Sequence, residues 1–221
     1  MRKLSWIVLV AVVLLGGREL TSWALPAQDP AKKSCAETAL KNYHDRGGYE
    51  RGVRQVFEAA WEHVERWRQG DLSPAKPAVV MDIDDTSLSN YATIAADGFC
   101  MNYENLYASW EKEATPIPAA LEFFKKARAA GIEVFFITGR SERHRTVSEA
   151  QLAKAGFAGF KQLFLKPDGD RTPSAHYKAA ARKSILDQGY RILANIGDQP
   201  GDLEGENADR AFLVPNPFYG S

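Results

Sequence analysis

The chain predicts an α/β fold: a Rossmann-like parallel sheet with helices on both faces and a small cap inserted after the first strand. Three observations predict it. Short, continuous apolar runs alternate with helix-length segments bounded by Pro, Ser and Gly, as in sheets covered on both faces. The polar residues Asp82, Thr138 and Asp198 each follow the end of such a run, and ligands of these sheets gather at the carboxyl ends of the strands. The interval from Asp82 to Thr138 is 56 residues, whereas a strand–helix–strand unit needs roughly 30.

The elements follow in order. Met1-Arg2-Lys3 is basic, Leu4 to Leu15 is almost wholly apolar, and small or polar residues come next. This is the layout of a secretory signal peptide, residues 1–24, with cleavage after Ala24 or Ala27. The apolar stretch would span only about 18 Å as a helix, against about 30 Å of hydrocarbon, so no stable membrane anchor is expected. Export to the periplasm or medium follows. Residues 25–34 read as a linker and 35–221 as one domain.

A short helix is expected around Ala36–Tyr43, with Gly47-Gly48 after it. Val53, Val56, Phe57, Ala60, Trp61, Val64 and Trp67 then recur at helical spacing and give the next helix one apolar face. Ala78–Asp82 is the first strand. Pro118 opens a helix that Gly131 closes. Glu133–Thr138 is the second strand, and Ser141 is placed to cap a helix running to about Ala155. Leu163–Leu165 is the third strand. Ser174 is placed to cap a helix to Gln188, Arg191–Ile196 is the fourth strand and Ala211–Val214 the fifth. The surplus before Pro118 lies near residues 90–115 and holds Tyr91, Phe99, Tyr103, Tyr107 and Trp110. It reads as a cap over the strand ends that receives an apolar or aromatic leaving group, or as one more helix packed on the core.

Several function classes lack support. Lys and Arg together number 28, as do Asp and Glu, so no charge excess suggests a nucleic-acid partner. Residues 1–24 carry a net +2, which leaves the remainder at −2. There is no serine-hydrolase elbow, phosphate-binding Gly-Lys loop or paired-histidine metal motif. Cys35 and Cys100 lack metal or redox spacing; in an exported protein they form one disulfide or stand as two thiols.

The chemistry concentrates at Asp82-Ile83-Asp84-Asp85-Thr86. In an extended strand residues i and i+2 leave on one face, which would align Asp82 and Asp84 roughly 7 Å apart. Two aligned carboxylates at a buried strand end are costly unless a cation or a reaction uses them. Asp85 points away and reads as a structural hydrogen-bond partner. Downstream come Ile137-Thr138-Gly139-Arg140, then Lys178, then Gly197-Asp198-Gln199-Pro200-Gly201-Asp202. Carboxylates around a divalent ion, a hydroxyl and a lysine are what phosphoryl transfer requires. Oxygen ligands favour Mg²⁺. Lys178 also lies in a basic helix with Arg182 and Lys183, and a solvated lysine is the lesser alternative there. Arg140 suits either a substrate contact or a salt bridge that pins its loop.

These four segments resemble the motifs of the haloacid dehalogenase superfamily. The nearest likeness is to its class B-type acid phosphatases and plant vegetative storage proteins, from roughly Tyr43 to Tyr219. Leu213-Val214-Pro215-Asn216-Pro217-Phe218-Tyr219 resembles the ending of that family. The resemblance implies an Mg²⁺-dependent hydrolysis of small phosphomonoesters. In it Asp82 would be the nucleophile and Asp84 the acid and base. The metal would be held by Asp82, the backbone carbonyl of Asp84, Asp198 and Asp202, and the phosphoryl group by Thr138, Gly139 and Lys178. Relatives that dehalogenate lack the second aspartate. A nucleotidase, a phosphotransferase and a storage protein with little activity are the alternatives within the resemblance.

Overall fold

The computed structural model describes residues 30–70, 76–112 and 115–219. The signal peptide read at 1–24 lies outside them. Pro30 begins the first helix, α1 (Pro30–Asp45), so helical chain already occupies the second half of the segment read as a linker. Proline suits this position because its missing N–H would find no partner in the first turn.

Helix α2 (Gly48–Gly70) follows. Its Val53, Phe57, Ala60 and Val64 are buried on the expected face, the two valines and the phenylalanine contributing roughly 1.5–3 kcal/mol each of apolar burial. Strand β1 (Lys76–Met81) comes next, then two short helices, α3 (Tyr91–Ala96) and α4 (Tyr103–Trp110), in the stretch read as a cap. The chain continues through α5 (Pro118–Ala129), β2 (Glu133–Ser141), α6 (Arg145–Lys154) and β3 (Gln162–Lys166). It ends through α7 (Ser174–Asp187), β4 (Tyr190–Gly197), α8 (Pro200–Leu203) and β5 (Ala211–Leu213).

Two capping expectations give way to other local solutions. Strand β2 runs on to Ser141, and a 3-10 turn at Glu142–His144 precedes α6. Ser141 Oγ meets His144 Nδ1 at 3.3 Å instead of capping. Ser174 is the first helical residue of α7 and does not bond the helix end. Pro173, fixed near the helical φ and ahead of it, sets that start. Gly131 does close α5, with a φ of 74°, the left-handed geometry that spares glycine a side-chain clash.

All five strands are parallel, in the order β3-β2-β1-β4-β5. Side chains alternate between two cores. Val79, Met81, Val134 and Phe136 face the layer of α2 and α5, while Ala78, Val80, Phe135 and Ile137 face Ala181 and Ile185 of α7. Burial on both faces explains why these strands read as continuous apolar runs. The register then fixes the site. Met81 pairs with Phe136 on one side and Ile196 on the other. Asp82, Thr138 and Asp198 therefore emerge close together at one sheet edge. The chain leaves β1 for β2 on one side and returns to β4 on the other, and such a reversal opens a crevice.

Candidate active site

A cleft of about 480 Å³ lies at this edge. Asp82, Asp84, Thr138, Gly139, Lys178, Asp198 and Asp202 all line it. Met101, Tyr103, Leu106, Tyr107 and Trp110 face them from α4 and the residues before it. A second concavity, of about 270 Å³ between α2 and α5, holds none of these carboxylates.

The loop after β1 departs from the strand reading. Strand β1 stops at Met81, and the next residues turn instead of continuing the pleat. Ser87 N and Leu88 N both donate to Ile83 O, and Asp85 adopts a φ of 51°. Asp85 is the pivot of this turn. Its carboxyl accepts from Asn90 N at 2.8 Å, Asn90 Nδ2 at 3.1 Å and the Tyr219 hydroxyl at 2.7 Å. Burial outweighs those bonds and pushes its pKa up to about 7. The turn sends Asp82 and Asp84 to different partners.

Asp82 faces the acidic side. Its Oδ1 accepts from Lys178 Nζ at 2.7 Å, and the same ammonium reaches Asp202 Oδ1 at 2.5 Å. Oxygens of Asp82, Asp198 and Asp202 lie within 4.8 Å of one another, and all three residues are buried. Burial pushes the Asp82 carboxyl well above the usual range, and the neighbouring carboxylates add to this, although Lys178 pulls the other way. Burial likewise raises Asp198. Lys178 is lowered by burial, but the two carboxylates it joins more than reverse this and hold it charged.

The acidic side is itself braced. Asp198 Oδ1 accepts from Thr86 Oγ1 at 3.1 Å; its Oδ2 accepts from Gln199 Nε2 at 2.6 Å and Asn216 Nδ2 at 2.7 Å. The Asp202 carbonyl accepts from Asn195 Nδ2 at 2.9 Å and from Arg182 Nη1 at 2.6 Å. A Cβ on Gly197 would come within 2.4 Å of the Asp202 side chain, so only glycine lets the carboxylate turn this close. Three buried carboxylates against one ammonium leave an excess of negative charge. That excess, the hard oxygen donors and their convergence fit a divalent cation of the Mg²⁺ type.

Asp84 lies on the opposite side, next to Arg140. Guanidinium Nε donates to Oδ2 at 2.8 Å and Nη2 to Oδ1 at 2.7 Å. Asn90 Nδ2 adds a bond to Oδ1 at 2.9 Å. Burial alone would raise this carboxyl, but the Arg140 charge and hydrogen bonds win and hold it below the usual range. Thr138 is buried between the two sides, its hydroxyl accepting from Arg140 N at 3.1 Å.

The aromatic residues of the cap divide. Tyr91 and Phe99 join a cluster with Tyr49 and Phe218, and Tyr91 also stacks on His44. Tyr103, Tyr107 and Trp110 line the cleft, and Tyr103 is 60% exposed. Both cysteines are exposed free thiols. Thr86, Asn90, Asn216 and Tyr219 escaped the sequence reading as site residues, because each acts through a carboxylate already identified and carries no chemistry of its own.

A parallel sheet with carboxylates converging at its switch point places the molecule in the HAD-like α/β class. The fold matches that of a class C acid phosphatase from Bacillus anthracis, with a TM-score of 0.67, 19% identity, and 86% of this chain and 85% of that chain covered. Residues 17–221 match the family profile described as HAD superfamily, subfamily IIIB (acid phosphatase), and the chain belongs to that family. Among its relatives are Acid phosphatase 1 of Solanum lycopersicum, 32% identical over 85% of this chain and 74% of that protein. The Stem 28 kDa glycoprotein of Glycine max is 34% identical over 85% of this chain and 75% of its own length. Vegetative storage protein 1 of Arabidopsis thaliana is 35% identical over 63% and 54%. The enzyme class that follows is phosphoric monoester hydrolase.

Proposed function

We propose that this acid phosphatase is exported, uses Mg²⁺, and hydrolyses small phosphomonoesters through a phosphoryl group carried on Asp82. The observation that carries this reading is the buried triad of Asp82, Asp198 and Asp202 beside Lys178, within one cleft with Thr138. Asp82, Asp198 and Asp202 would hold the cation with the Asp84 carbonyl. When bound, Mg²⁺ offsets the carboxylate charge and lets a phosphate dianion approach.

In the first step an Asp82 carboxylate oxygen attacks phosphorus, the bond to the leaving oxygen breaks, and that oxygen takes a proton from Asp84. In the second, water attacks phosphorus, Asp84 takes its proton, and the Asp82–phosphorus bond breaks. Inorganic phosphate leaves and Asp82 is restored. Lys178, Thr138 and the Gly139 backbone hold the equatorial oxygens. Asp84, ionised in the free protein, gains proton affinity as a phosphate dianion enters, and an acidic medium supplies the proton.

The aromatic wall on α4 favours substrates whose leaving group carries a ring, which keeps a nucleotidase as the second reading. Export rests on the basic and apolar N-terminal pattern; no helix among the described residues is long and apolar enough to cross a membrane. The test is a panel of nucleotides, sugar phosphates and aryl phosphates, with Mg²⁺ and with chelator, and with glycerol as an alternative acceptor. Hydrolysis in Mg²⁺ that stops in chelator is expected. A panel silent in Mg²⁺ would replace the enzyme reading with a storage or binding role.

A further inference from the structure

Arg140 occupies an unusual place. Its side chain is only 1% exposed, and four of its five N–H groups are committed. Nε and Nη2 grip the two Asp84 oxygens, and Nη1 donates to Ser148 Oγ at 3.1 Å and Gln151 Oε1 at 2.6 Å. One planar face lies against Trp110 of α4, 3.8 Å from the ring centroid. The Trp110 indole N–H has no hydrogen-bond partner among the described residues, and stacking on Arg140 orients the ring. A guanidinium so fully engaged has little left for a phosphate. It is built to fix the plane of a carboxylate.

We propose that Arg140 is the positioning residue that aims Asp84 at the leaving-group oxygen, and that Trp110 keeps Arg140 in that pose, so that the helix covering the cleft and the proton donor are set together. This rests on the reading of Asp84 as proton carrier. The bonding singles out an atom. Oδ1 already accepts from both Arg140 and Asn90, whereas among the described residues Oδ2 accepts from Arg140 alone. Oδ2 is the oxygen free to pass the proton. A loosened Arg140 lets the carboxyl rotate, and the cost falls on leaving groups that need protonation.

The test measures kcat/KM in Mg²⁺ on the mature protein, for phenyl, 4-nitrophenyl and 2,4-dinitrophenyl phosphate. This quantity covers only the steps through departure of the leaving group. Proton donation is worth roughly 10²–10⁴ where it is needed. Arg140→Lys is expected to lose about 100-fold on phenyl phosphate but under about threefold on the dinitrophenyl ester. Trp110→Leu should tilt the series the same way by about tenfold. It leaves every charge in place, so it decides the matter if Arg140→Lys does not fold. An equal loss across the series in the folded variants overturns the proposal. Asp84→Asn separates the two levels. If it too leaves the slope of the series unchanged, the proton-carrier reading fails; if it steepens the slope while Arg140→Lys and Trp110→Leu do not, only the positioning role fails.

Discussion

Asp82 and Asp84 are separated by Ile83 alone, yet they sit in opposite electrical surroundings. Asp82 shares one ammonium with a second buried carboxylate and lies near a third, and its proton affinity rises. Asp84 has a guanidinium almost to itself, and its proton affinity falls although it is partly buried. Burial pushes both carboxyls upward; the ratio of cations to carboxylates decides the net sign. The acidic side carries an excess of negative charge that a further cation would offset, and the Asp84 side is balanced by Arg140. Under the proposed mechanism, a shared sequence motif would thus yield one group for binding metal and attacking phosphorus and another for moving protons.

The largest way to break this contrast is Asp82→Asn. Turnover of 4-nitrophenyl phosphate should fall by roughly 10⁴-fold or more, because in the proposed mechanism Asp82 carries the phosphoryl group. Activity within tenfold of wild type would remove Asp82 as nucleophile. Lys178→Met removes the only cation among the described residues that is paired with the carboxylates of the acidic side. The metal-free protein should lose about 3–5 kcal/mol at neutral pH, read by urea denaturation in chelator, and Mg²⁺ should restore part of it. A loss under about 1 kcal/mol would mean that the pair contributes no more than a solvated one.

Asp85 sharpens the comparison, because it is buried with hydrogen bonds but no cation. Its folded pKa of about 7 lies above the unfolded value of about 3.9. Its contribution to stability is therefore complete below pH about 4 and disappears as pH rises towards 7, up to about 4 kcal/mol in the metal-free protein. Asp85→Asn should flatten that decline in denaturation curves taken across the interval. An unchanged slope would assign the pH dependence elsewhere. The smallest effect is expected from Asn216→Ala. Gln199 and Thr86 still hold Asp198, so Mg²⁺ affinity should drop only about tenfold, measured by titration calorimetry. No change would show that Asn216 does not orient Asp198.

The strands and the site's main residues were legible because doubly covered strands read as unbroken apolar runs and the polar residues stand directly after them. The relation between Asp82 and Asp84 was not. Period-two reasoning aligned them, but β1 ends at Met81 and the Asp85 turn parts them. The braces were equally hidden. Thr86 meets Asp198 across 112 residues and Tyr219 meets Asp85 across 134; no local pattern records such pairings. Arg140 was ambiguous for a different reason. Its sequence position suits substrate or salt bridge alike, and only the count of its engaged donors separates the two.

The link between Tyr219 and Asp85 also bears on when the molecule becomes competent during synthesis. Asn216 and Tyr219 follow every described element in chain order, yet Tyr219 braces the first loop of the sheet and Asn216 the loop after β4. A nascent chain that has formed β1 to β4 holds its carboxylates without these restraints. Competence should therefore appear only once Asn216 and Tyr219 have joined the fold, and a chain that has not reached that point would carry an unfinished centre.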